Sequence, residues 1–153
     1  MKKLFLLFIT GLLLISCGVK TPYDSFRKEH KEDIAFSLGA SNFLANMFMN
    51  KEDVRELKQV VDGISKYRVL VAKEESSAYL NNEFKKLVHH GYEQLFYVND
   101  KGNTVNLYFF KRGGKIKELI VKVKDNNDFV ILSAEGNIKI KDLHGLINRV
   151  AAN

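Results

Sequence analysis

Three rhythms of apolar residues follow one another along the chain. The first is a nearly unbroken run, Leu4 to Ile15, interrupted only by Thr10 and Gly11. It is too short to span a bilayer, which takes about 20 residues, and has the length of the apolar region of an export signal. The second rhythm is mixed. Asp24-Ser25 can cap a short polar helix to about Lys31. Ile34, Phe36 and Leu38 alternate with small residues, which predicts a strand that Gly39 ends. Ser41 suits the N-cap of a helix with the stripe Phe43, Leu44, Met47 and Phe48, and Asn50 that of another running through Val54, Leu57, Val61 and Ile64. Tyr67, Val69 and Val71 predict a strand. Ser76 or Ser77 then opens a helix that buries Leu80, Phe84, Leu87 and Val88, with Gly91 as its left-handed C-terminal cap.

From Glu93 the rhythm becomes that of hairpins. Turn residues at Asn99-Asp100-Lys101-Gly102, Gly113-Gly114 and Asn126-Asn127 divide four strands, roughly 93–98, 103–111, 115–124 and 128–135. A two-residue Gly113-Gly114 loop sets Phe109 against Glu118 and mixes polar with apolar on both faces. A three-residue loop, Arg112-Gly113-Gly114, pairs Leu107 with Leu119 and Val105 with Val121, and parity therefore selects it. The inner face then carries Val105, Leu107, Phe109, Leu119, Val121, Val123, Val130 and Leu132. Leu143, Leu146, Ile147 and Val150 predict a closing amphipathic helix. The expectation is an α+β domain: a mostly antiparallel sheet ending in a four-stranded meander, with helices packed on it.

Composition sharpens this. The chain has 153 residues, 46% of them apolar, and eleven of the first sixteen are apolar, so the remainder has the balance of one globular domain. The one cysteine excludes disulfide scaffolds and multi-cysteine zinc sites. That cysteine, Cys17, closes Leu14-Ile15-Ser16-Cys17, and with Lys2 and Lys3 ahead of the apolar run the segment looks like the lipobox signal of bacterial lipoproteins. The resemblance implies cleavage before Cys17, a diacylglycerol thioether on its sulfur and an acylated amino terminus, and so membrane attachment through Cys17. Residues 1–16 are then the signal peptide, 17–23 a lipidated tether and 24–153 a single domain. Loss of Lys2 and Lys3 takes the formal charge from +6 to +4, with 22 basic against 18 acidic residues. Export makes nucleic acid an unsuitable partner. Gly18 lacks the Asp associated with inner-membrane retention, which leaves the outer membrane, facing the periplasm, as the expected location.

Candidate chemistry is sparse. His89-His90 are adjacent, point about 100° apart on a helix and sit in its last turn, where a cation is favoured. With Glu93 they are the nearest approach to a hydrolase site. His30 and His144 have no partner at ligand spacing. The acidic pairs Glu52-Asp53 and Glu74-Glu75 fall at predicted helix starts. Neither a nucleophile elbow nor a phosphate-cradling loop occurs, and no cofactor or metal is expected. Lys111, Arg112, Lys115, Lys117, Lys122 and Lys124 make a basic hairpin opposed only by Glu118, suited to anionic lipid or to blocking edge pairing. The outer sheet face, with Tyr108, Phe110, Ile120, Phe129 and Ile131, is either covered by a helix or a surface that binds a protein or an apolar ligand.

The order of these pieces resembles a family of small bacterial envelope lipoproteins classed only as a domain of unknown function. The matching segments are the lipobox, Ile34 to Leu38 leading to Ser41-Asn42-Phe43-Leu44, Ile64 to Leu70, Tyr92-Glu93-Gln94-Leu95 before Asn99-Asp100-Lys101-Gly102, Lys117 to Val121, and Leu132 to Ile138 around Gly136. The resemblance brings no catalytic residues, and its members' placement beside envelope-responsive sigma factors implies a stress or regulatory setting. The sequence therefore points to a lipid-anchored binding or regulatory module, with an envelope hydrolase or a purely structural lipoprotein as alternatives.

Overall fold

A computed structural model describes residues 20–41, 51–100, 102–125 and 127–152. The expected export signal, Cys17 and the helix expected over 42–50 lie outside them. Helix α1 (Pro22–Glu29) leads through a 3-10 turn (Lys31–Asp33) into β1 (Ile34–Ser41), and α2 (Lys51–Val60) runs directly into β2 (Val61–Ala72). A second 3-10 turn (Glu74–Ser76) opens α3 (Ser77–Val88). There follow β3 (Tyr92–Asp100), β4 (Asn103–Arg112), β5 (Lys115–Asp125), β6 (Asp128–Ile140) and α4 (Leu143–Ala152). The six strands form one antiparallel sheet in the order β1-β2-β6-β5-β4-β3. The fold is α+β.

Helix α1 starts before the predicted Asp24-Ser25 cap. Thr21 is the N-cap, Pro22 supplies a preset φ, and Asp24 closes a capping box by accepting the Thr21 N–H at 3.4 Å. Thr21 and Tyr23 are buried. Strand β1 runs through Gly39 to Ser41, because pairing with Arg68 and Tyr67 on β2 continues past the glycine. Helix α2 stops at Val60, and Val61 and Ile64, expected on its stripe, belong to β2.

The predicted three-residue loop is also corrected. Gly113 and Gly114 form a two-residue turn with φ 60° and 72°, the left-handed values that such a turn requires. Arg112 faces Lys115, and a bulge beyond Phe110 then shifts the register. Leu107 therefore pairs with Val121 and Val105 with Val123. The bulge restores the parity that the turn alone breaks, so the predicted division of side chains between the two faces survives while the partners move by two residues.

The two faces differ from expectation in rank. The predicted outer residues Tyr108, Phe110, Ile120, Phe129 and Ile131 form the larger core, closed by Tyr23 and Phe26 of α1 and by Leu80 and Phe84 of α3. The opposite face holds a smaller cluster of Leu107, Phe109, Leu119 and Ile138 with Val60 and Val61, on the side of α2 and α4.

Candidate functional site

Two features stand out, one polar and one apolar. The polar one begins at Glu118 of β5, whose side chain is fully buried on the α1 face. Tyr92 Oη donates to Glu118 Oε2 at 2.5 Å and accepts the Tyr23 N–H at 3.3 Å, which ties β3, β5 and the start of α1 together. Burial pushes the Glu118 carboxyl up to about 7, against the downward pull of the Tyr92 phenol and the Thr21 hydroxyl. Desolvation and the neighbouring Glu118 likewise raise the Tyr92 phenol. Beside this group Arg68 of β2 pairs with Asp24 at 2.9 Å and with Glu135 of β6.

A cleft of about 700 Å³ opens next to the Arg68 pairs, lined by Asp24, Lys66, Lys117, Glu135 and Asn137 among others. Its floor is shaped by two bulges where β2 meets β6. A Cβ on Gly63 would run into the Asn137 carbonyl and one on Gly136 into the Gly63 carbonyl, so both positions require glycine. A carboxyl titrating near neutrality beside a phenol is suited to proton transfer. Here both groups are turned into the core and bonded to each other, so the arrangement locks α1 to the sheet.

The apolar feature is the face opposite. Phe36, Val71, Val130, Val123, Val105 and Val98 stand in register across all six strands, and Leu38, Val69, Leu132, Val121, Leu107 and Phe96 form the next row. Neither row contains a polar residue. Cover is incomplete: Phe36 is 52% exposed, Leu38 56% and Leu132 44%. The residues assigned in the sequence to an inner face thus include the more open apolar surface. The five assigned to a binding face, Tyr108, Phe110, Ile120, Phe129 and Ile131, are sealed beneath α1 and α3, the helix-covered outcome of the two weighed.

The remaining candidates disperse. His89 is the C-cap of α3, and His90 turns Nδ1 to the Lys86 carbonyl at 2.8 Å, while Glu93 meets Lys111 at 3.6 Å. These side chains are exposed, and His90 and Glu93 engage different partners. Among the described residues no group of three or more His, Cys, Asp or Glu is placed to hold a metal ion, and no helix is long and apolar enough to cross a membrane. The basic hairpin is split: Lys111 lies over the Phe109 ring, Lys117 bonds Asn137, and Lys122 is buried under α3 with its amino group on Asn81 Oδ1 at 3.2 Å. Glu118 and Lys122 were missed as buried groups. Their only signal was alternation with Ile120, the same parity that puts them on the face of Tyr108 and Phe110.

Fold and site together define a small α+β domain with one sealed helix-covered sheet face, one apolar face left partly open and a polar lock at its N-terminal helix. The chain belongs to the family Domain of unknown function DUF4252, whose pattern matches residues 27–146. No curated protein matches it.

Proposed function

We propose that the chain is a lipid-anchored cell-envelope protein, acylated at Cys17 and held at the outer membrane facing the periplasm, whose domain binds a protein or an apolar ligand without catalysing a reaction. The observation that carries the binding reading is the pair of apolar rows, which crosses six strands without a polar break and stays partly open at Phe36, Leu38 and Leu132. Soluble domains seldom expose a contiguous patch of this kind unless it meets another molecule.

The anchor reading is supported by the basic start, the twelve-residue apolar run and Leu14-Ile15-Ser16-Cys17. Two or more acyl chains make attachment effectively permanent, at about 0.8 kcal/mol per buried methylene. Because Thr21 is already locked by its cap and burial, the four steps from Cys17 to Thr21 reach at most about 14 Å. The domain then works against the membrane surface.

Labelled palmitate should enter the wild-type chain and be lost in Cys17→Ala; label that survives the substitution removes the anchor. Crosslinking in intact cells should capture a partner or an apolar ligand through the wild-type face and lose it in Leu132→Lys. Equal capture by both chains rejects this face as the binding surface.

A further inference from the structure

Strand β1 is one edge of the sheet, and among the described residues it pairs only with β2. Among the described residues no strand pairs with its outer side. Sheet edges are normally protected by charge, proline, bulges or short length. The opposite edge, β3, carries Glu93 and Asp100 and a bulge between Gln94 and Phe96. Strand β1, Ile34-Ala35-Phe36-Ser37-Leu38-Gly39-Ala40-Ser41, has neither charge nor proline over eight residues, and its single bulge lies at its start.

What flanks this edge differs on its two sides. Phe36 and Leu38 project to the open apolar face and begin its two rows. On the other side Ser37 and Gly39 pair with Leu70 and Arg68. That side opens into a groove of about 400 Å³ between β1 and α1, lined by Arg27, Lys28 and Lys31. Lys66 adds a fourth cation, its Cε only 3.7 Å from where a Gly39 Cβ would stand. Asp24 also lines the groove, paired with Arg68 at 2.9 Å and with Arg27 at 3.8 Å, so Lys28, Lys31 and Lys66 are the cations it leaves uncompensated. Side chains of an added strand alternate between these two environments.

We propose that the outer edge of β1, together with the cationic groove beside α1, accepts an extended segment of a partner protein in which apolar residues alternate with acidic ones. Backbone hydrogen bonds to β1 give the affinity, and the alternating pattern gives the specificity. The apolar side chains extend the rows that start at Phe36 and Leu38. The acidic ones meet Lys28, Lys31 and Lys66. Pairing of β1 with a second copy of itself is disfavoured by the same charges, since it brings two cationic grooves together. The inference rests on the reading of the domain as a binding module and names the kind of partner it takes.

The test uses the full chain in detergent micelles with two synthetic strands, one alternating valine with glutamate and one alternating valine with lysine. The glutamate strand should bind, weaken with added salt, and lose about tenfold in affinity against the chain carrying Lys28→Glu with Lys31→Glu. Hydrogen exchange should slow at β1 amides on binding. Equal affinity for both strands, no binding by either, or protection appearing away from β1 overturns the proposal. Concentration-dependent dimerisation abolished by Leu38→Lys also overturns it, by giving the edge to a second copy. Glutamate-strand binding that is lost in Leu132→Lys without protection of β1 removes the edge while leaving the apolar face as a binding surface.

Discussion

Glu118→Gln removes the charge of the buried carboxyl and keeps its shape. In the folded chain Glu118 holds its proton up to about 7, against an ordinary value of 4.5. At 1.36 kcal/mol per unit, that gap corresponds to about 3 kcal/mol. The raised value fixes the sign: the contribution is fully present below pH 4.5 and is lost as pH rises through 7, because the unfolded chain releases the proton first. Glutamine has no proton to release. The unfolding free energies of the two chains, measured in urea by circular dichroism from pH 4 to 8, should run together at the acid end. They should separate to about 3 kcal/mol in favour of Glu118→Gln at pH 8. Other titrating groups cancel in this difference. Parallel profiles, with a constant offset between the chains, refute the assignment of a protonated, desolvated carboxyl at this position.

Arg68→Met leaves Asp24 and Glu135 without their shared cation beside Glu118. It should cost about 3 to 5 kcal/mol at neutral pH, with partial recovery at pH 4 in the same urea assay. Burial lowers the Lys122 amino group to about 8, so its penalty is complete below pH 8 and fades as pH rises toward 10.5. Lys122→Met should therefore raise the unfolding free energy by about 1 to 3 kcal/mol at pH 7 and by much less at pH 10. Gly63 combines φ 81° with the Asn137 carbonyl in the path of any Cβ, whereas Gly102 has φ 94° and open space around it. Thermal denaturation should show Gly63→Ala losing about 2 to 4 kcal/mol and Gly102→Ala about 1.

The sequence carried the elements further than it carried their arrangement. Alternation at Ile34, Phe36 and Leu38, the stripe Leu80-Phe84 and the glycine and asparagine turns each act over a few residues, and strands and helices appear where those signals stand. Pairing was harder because bulges leave little local trace. Gly113-Gly114 reads as a two-residue turn, whereas parity alone favours a three-residue loop. The bulge beyond Phe110 reconciles both signals, yet nothing in Lys111 to Glu118 announces it. Helix α2 overran in the sequence reading for a similar reason. Val61 and Ile64 continue the helical spacing of Val54 and Leu57, and only pairing of Val61 with Ile140 and of Ile64 with Gly136 decides that they are strand.

The ranking of the two sheet faces was hidden by a deeper ambiguity. Both faces are apolar, one rich in aromatic side chains and one in valine and leucine, so composition cannot say which one α1 and α3 cover. Volume decides it. The aromatic rings Tyr23, Phe26 and Phe84 interlock with Tyr108 and Phe129, with Phe26–Phe84, Phe84–Tyr108 and Phe84–Phe129 centroids 5.8 to 6.0 Å apart in edge-on contacts. The valine rows present a flat, shallow surface with less to grip. The buried Glu118 follows from the same choice. Once α1 lies over the aromatic face, Tyr23 and Thr21 close over the Glu118 end of β5, and a carboxyl that reads as an exposed hairpin charge becomes the lock on that helix.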